Sequence, residues 1–192
     1  MNDVVFTFGR FNPPTKGHVE IINEMKRISN HLGCSYRVYT SQKEDNKINP
    51  LPYDEKVKFI EIILGVKIEK SNSIISIFDV IKDLSNDGYK NLIMVVGSDR
   101  KRIFEKKLLH YVGSEFDIDS LKIVSVDRSK IENTSIEGIS SKQMRQFAKS
   151  NNFQDFCIGL PKNIHISDSK QLFKEVQKGL LHGRKNTSNM VQ

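Results

Sequence analysis

Between residues 8 and 18 the chain reads FGRFNPPTKGH, a stretch crowded with groups that bind anions. Arg10, Thr15, Lys16 and His18 are donors. Gly9 permits a sharp exit from the apolar run before it, and Pro13 and Pro14 stiffen the loop, reducing the entropy lost on fixing it. Gly17 and His18 then open a helical pattern, and the orphan amides and positive dipole end of a helix N-terminus bind anions readily. Two common phosphate loops are excluded, since there is no G-x-x-x-x-G-K-[ST] and no G-x-G-x-x-G follows the first strand. GISSKQMR at 138–145 repeats the design, with a glycine, two hydroxyls, a helix start and an arginine one turn in. Ser140 is predicted as its N-cap with Gln143 as the capping-box partner, and Arg145 is expected to lean back over the N-terminus. Converging on one polyanion, the two starts would clamp a triphosphate. A third loop, GSDR at 97–100, carries Asp99 either as a helix cap or as a ligand contact. The first loop alone also reads as a rigid connection in which Thr15 caps the helix and His18 is merely exposed.

Hydrophobic periodicity supplies the elements that must position these loops. DVVFTF (3–8), SYRVYT (35–40), NLIMVVG (91–97) and LKIVSV (121–126) read as strands, and a weaker strand is predicted at Val66–Glu69. Val19, Ile21, Ile22, Met25, Ile28 and Leu32 mark an amphipathic helix over 17–32. Further helices are expected at 55–64 with Asp54 as N-cap, along the apolar stripe of 74–84, and at 100–111, 141–150 and 170–181. A turn or helix is expected at 152–160. Strands alternating with helices predict an α/β protein: a Rossmann-like, parallel five-stranded sheet with helices on both faces and a C-terminal helical extension. In such sheets ligands sit beyond the carboxyl ends of the strands, where all three loops lie.

The 192 residues are expected to form one domain over 1–182, with a polar, frayed tail at 183–192. Thirty Lys and Arg against 23 Asp and Glu leave a formal charge of +7, which favours anionic partners but equally describes a lysine-rich solubilising surface. The two cysteines, Cys34 and Cys157, form no C-x-x-C pair and suggest a reducing compartment. No apolar run approaches the ~20 residues of a membrane span, and no leader pattern opens the chain, so a cytoplasmic location without a membrane partner is expected. With no Trp and its other aromatics scattered through apolar stripes, the sequence does not favour a nucleic-acid partner, though the charge keeps one open.

Taken together, GRFNPPTKGH and GISSKQMR resemble the nucleotidyltransferase superfamily with its [H/T]-x-G-H and I-S-S/T-x-x-x-R motifs. The first stretch is similar to nicotinamide-mononucleotide adenylyltransferases, and GSDRKRIFEKKL to their G-x-D segment. INPLPYDEKVKFI resembles their N-P-x-T-x-x-E-R run, with Lys56 in place of its arginine. The chain is also similar to small phage-encoded nucleotidyltransferases, which would place it in a host cytoplasm.

The resemblance implies transfer of a nucleoside monophosphate, AMP from ATP in the leading reading, to a phosphorylated acceptor. Mg²⁺ would be carried mainly on the triphosphate, with no metal-binding residue in the protein. It implies catalytic roles for His18, Thr15 and Arg145, with His18 at the α-phosphate and Arg145 at the leaving pyrophosphate. Phe8, Gly9, Arg10, Lys16, Gly17, Ile139, Ser140 and Ser141 would bind the nucleotide, and Gly97, Asp99 and Lys56 the acceptor. Homo-oligomers occur among such relatives. Thr15 stands where the nicotinamide enzymes often have histidine, which leaves the acceptor open, and EGISS echoes cytidylyltransferases, so CTP with a phospho-alcohol or phospho-sugar forms the second reading. A binding module without turnover is the third. Acceptor recognition is expected from the loops at 41–53 and 127–137.

Overall fold

Apolar runs with a two-residue period become strands and those with a helical period become helices along the whole of the computed structural model, which describes residues 2–70, 74–127 and 139–181. In chain order the elements are β1 (Asp3–Gly9), α1 (Lys16–Leu32), β2 (Ser35–Thr40), α2 (Tyr53–Leu64), α3 (Ile77–Asn86), β3 (Asn91–Gly97) and α4 (Ser98–Leu108). A single 3-10 turn (Leu109–Tyr111) follows, then β4 (Ser120–Val126), α5 (Ser141–Lys149), α6 (Phe153–Ile158) and α7 (Ile166–Leu181). The expected frayed tail, and nearly all of the 127–137 loop, lie outside the described residues. No described helix is long and apolar enough to cross a membrane.

The strands form one parallel sheet in the order β2-β1-β3-β4. Four strands are present among the described residues, rather than the expected five. Val66 and Ile68 are buried, but their segment gives β2 a single backbone bond, from the Glu69 amide to the Val38 carbonyl at 2.9 Å. It lies beside the edge without entering the ladder.

Alternate strand residues face opposite layers. Val5, Val38 and Val95 pack into a core shared with α1, α2, α5, α6 and α7, whereas Val4, Phe6, Leu92, Met94 and Val96 pack with α3 and α4. Element ends differ from expectation by a few residues. Pro52, not Asp54, precedes the first turn of α2, and Asp54 lies within that turn, where its charge still suits the dipole. Gly97, not Asp99, is the cap of α4.

From β1 the chain steps outward to β2, then crosses back to β3, so the order reverses between β1 and β3. Pairing between these two strands runs only from Asp3–Asn91 to Phe6–Met94. Beyond it the buried Thr7 hydroxyl donates to the Val95 carbonyl at 2.7 Å. The loops that leave Gly9 and Gly97 therefore border a crevice at the switch point, where open α/β sheets bind ligands.

Candidate functional site

Gly9 ends β1, and its carbonyl accepts the Ser41 amide (3.0 Å) and the Thr40 hydroxyl (3.1 Å), joining the first loop to the one after β2. Phe8 beside it is half-buried, and Arg10 is exposed overall while its guanidinium sits partly desolvated near Arg100, Asp45 and Asp99. Phe11 then turns through a left-handed backbone (φ 44°) and buries its ring, 2% exposed, against the Gly9 backbone. A Cβ on Gly9 would stand 2.9 Å from that ring, so any side chain there must push the ring aside. The Phe11 ring meets the His18 ring edge-on, with centroids 4.8 Å apart.

Thr15, 1% exposed, is the N-cap of α1. Its amide donates to Nδ1 of His18 at 3.0 Å, and its hydroxyl lies 3.1 Å from the same nitrogen. With Nδ1 accepting, the proton of a neutral ring sits on Nε2, the donor that the ring can offer a phosphate oxygen. Of the first amides of α1, that of Lys16 donates to the Gly159 carbonyl (2.8 Å) and that of His18 to the Thr15 carbonyl (2.9 Å). The Gly17 amide has no partner among the described residues.

The second helix start is fastened to the first. Ser141 Oγ donates to the Pro13 carbonyl at 2.8 Å, and Arg145 Nη1 to the Asn12 carbonyl at 2.7 Å. Ser140 and Gln143 form the expected capping box. Both serine hydroxyls are thus engaged inside the protein, and the Ser141 and Lys142 amides are the donors at this N-terminus without a partner among the described residues. Ile139 is buried beneath them.

Electrostatics bring a third arginine into the group. Burial lowers the pKa of Arg10, and the positive charge of Arg100 adds to it, against the opposing pull of Asp45 and Asp99. Burial, followed by the charge of Arg10, lowers that of Arg145, again opposed by Asp45. Arg10, in the loop after β1, therefore lies within electrostatic reach of both Arg100 of α4 and Arg145 of α5, and an anion bound there would relieve the like-charge repulsion. Arg100 also pairs with Asp99 at 3.5 Å, and Gly97, buried, closes β3 behind them.

Asn12, Asp45 and Arg100 were not singled out in the sequence. The buried Asn12 amide donates to the Leu51 carbonyl (3.2 Å) and accepts the Leu51 amide (3.0 Å). Asp45 Oδ1 accepts the amides of Lys47 (2.9 Å), Ile48 (2.6 Å) and Asn49 (3.2 Å). Burial opposes the ionisation of Asp45, but these bonds and one from the Asn49 side chain outweigh it and hold the pKa at about 2. Lys56, expected at the acceptor, is 0% exposed, and its amine donates to the Ser41 carbonyl. Its position secures the 41–52 loop from below and takes it out of reach of a ligand. Only the N-P signal at 49–50 hinted at this built loop; pairings such as Asn12 with Leu51 leave no local trace.

The chain matches the model of the cytidylyltransferase-like family over residues 6–147. Among solved structures it is similar to a Vibrio parahaemolyticus protein assigned as a nicotinate-nucleotide adenylyltransferase. That match has a TM-score of 0.57 and 14% identity, over 90% of this chain and 99% of that one. It is also similar to Thermotoga maritima TmcAL bound with alpha-thio ATP, with a TM-score of 0.54 and 8% identity over 90% of this chain. There it spans 55% of the other chain. At such identities the likeness carries the fold. No curated protein matches the chain in sequence.

Proposed function

Because the chain belongs to the cytidylyltransferase-like family, we propose that it is a nucleotidyltransferase moving AMP from ATP onto a phosphorylated small-molecule acceptor, of the nicotinamide-mononucleotide kind, with release of pyrophosphate. The observation that carries this reading is the fastening of the α5 start to the first loop, Ser141 Oγ to the Pro13 carbonyl and Arg145 Nη1 to the Asn12 carbonyl, which brings two helix N-termini together at the switch point of the sheet with Arg10 and Arg145 beside them. Such a set of donors suits a triphosphate.

An acceptor phosphate oxygen attacks the α-phosphorus of the triphosphate, the new P–O bond forms, and the bond to the bridging oxygen of the β-phosphate breaks. A phosphate nucleophile is ionised at neutral pH, so the step needs alignment and charge stabilisation rather than a strong base. His18 Nε2 supplies a donor at the α-phosphate, with the Thr15 amide fixing its tautomer. Arg145 and the Ser141 and Lys142 amides hold the departing β- and γ-phosphates, while Arg10 and the Gly17 amide line the same path. Arg100 and Asp99, at the edge of β3, face the acceptor side. Magnesium would be carried on the phosphate oxygens of the triphosphate, the hard ligands it prefers. When bound, it would offset charge building on the pyrophosphate.

The family match supports cytidylyl transfer as the second reading, and one experiment separates the two. The protein is incubated with Mg²⁺, each of ATP, CTP, GTP and UTP, and a panel of phosphorylated acceptors while pyrophosphate is followed. ATP with a mononucleotide acceptor is expected to give release, and CTP with a phospho-alcohol or phospho-sugar would shift the assignment to the second reading. Tight nucleotide binding without release from any pair would overturn the transferase. His18→Ala is expected to lower kcat by about 10²-fold or more; an effect on nucleotide affinity alone would remove it from the transition state.

A further inference from the structure

The exposed face of α4 begins at the arginine cluster and leads away from it. The helix carries five cations, Arg100, Lys101, Arg102, Lys106 and Lys107, against Asp99 and Glu105. Both carboxylates are engaged, Asp99 with Arg100 (3.5 Å) and Glu105 with Lys101 (3.8 Å). Arg102, Lys106 and Lys107 are exposed and enter no ion pair among the described residues. Phe104 and Leu108 turn inward to the core, so Arg102 and Lys106 share the opposite face at i, i+4 spacing, and Lys107 follows beside them.

At the far end of this face the fold gathers rings that the sequence scatters. His110 lies 4.0 Å from Tyr111 between centroids, Tyr111 is 5.3 Å from Phe78, and Phe78 is 6.2 Å from Phe116. His110 is exposed and the other three are half-buried. Ile103 and Leu109, each 46% exposed, flank the cations.

We infer that the outer face of α4 and the 3-10 turn after it form a docking surface for single-stranded nucleic acid, running from the ring cluster to the arginine cluster. A row of cations without an ion pair among the described residues suits consecutive phosphates, and the exposed His110 ring at the end of the row, backed by Tyr111, offers a face on which an unpaired base stacks, the combination that single-strand binders use. Duplex would meet the cations but could not reach the rings with its stacked bases. This surface stands whether or not the transferase reading does, since it is read by binding alone.

The test is fluorescence anisotropy of the full chain with labelled oligo-dT and oligo-U of about 15 nucleotides, near the largest site of a single binding fold, titrated in rising salt. Both are expected to bind, more tightly than duplex of equal length. The variant Arg102→Ala/Lys106→Ala/Lys107→Ala is expected to bind about tenfold or more weakly, with the slope of log K against log salt shallower by about 2, near 0.7 for each cation lost on a single strand. Its pyrophosphate release with small acceptors is expected to be unchanged. Lys106→Glu provides a second, single-site variant with the same direction, and His110→Ala is expected to narrow the advantage of single strand over duplex. The inference is overturned by an absence of oligonucleotide binding at about 50 mM salt, by binding that the triple variant leaves intact, or by equal affinity for duplex. Retention on phosphatidylserine vesicles through the same three cations, without oligonucleotide binding, would reassign the face to a lipid surface and equally overturn it.

Discussion

Three neighbours set the orientation of His18. The Thr15 amide fixes which nitrogen accepts, the Phe11 ring holds the imidazole edge-on, and Gly9 leaves the room that Phe11 occupies. A methyl group at Gly9 would stand 2.9 Å from a ring that is itself buried and set by a left-handed backbone, so the ring must move and carry the imidazole with it. Gly9→Ala is therefore expected to lower kcat about tenfold or more while circular dichroism stays native, because a displacement well under 1 Å already disturbs in-line geometry. The double variant Gly9→Ala/Phe11→Leu is expected to recover part of the loss; no recovery would mean that the methyl acts on the nucleotide directly. The donors in this chain of contacts were legible as residue types, but Phe11 was not. Its value lies in contacts made after a reversal of the backbone, and apolar character alone marks it as nothing beyond core.

At the scale of elements, strand positions and the capping box of α5 followed from periodicity, because a two-residue alternation and a Ser–x–x–Gln pattern are local properties. The fifth strand failed for a non-local reason: Val66 and Ile68 alternate correctly, but their segment makes only one backbone bond to β2. The 41–52 loop was equally hidden, since its anchors are Asn12 from the first loop and Lys56 from the following helix. That buried lysine carries a measurable consequence. Burial, with only Glu44 opposing, pulls its pKa down to about 8, below the ~10.4 of an unfolded chain. Between these two values the unfolded state holds more protons, so stability rises with pH across the window and the penalty for burying the charged amine is fully present below it. Relative to Lys56→Met, the wild type is expected to gain about 2 kcal/mol between pH 8 and 10 in urea unfolding. A difference between the two proteins that stays flat over that range would rule out a depressed lysine.

For the molecule as a whole, the two cores on opposite faces of the sheet and the reversal of strand order explain why the three loops meet. Alternating strands and helices made that architecture legible; the packing of the last helices against the site was not. Gly179 of α7 lies so close to the Pro50 carbonyl that a Cβ would stand 1.9 Å from the oxygen. Glycine to alanine inside a helix ordinarily gains up to ~1 kcal/mol, but here the backbone contact reverses the sign. Gly179→Ala is expected to cost about 2 kcal/mol and lower Tm by roughly 4–8 °C, and an unchanged or higher melting temperature would show that α7 can yield. The Lys16 amide, at the start of the helix that carries His18, is likewise held by Gly159, beyond the residues that match the family. Any attempt to graft the nucleotide-handling segment onto another scaffold, or to exchange acceptor loops with a relative, must therefore transplant the closing helices as well, because the first turn of α1 is anchored in them.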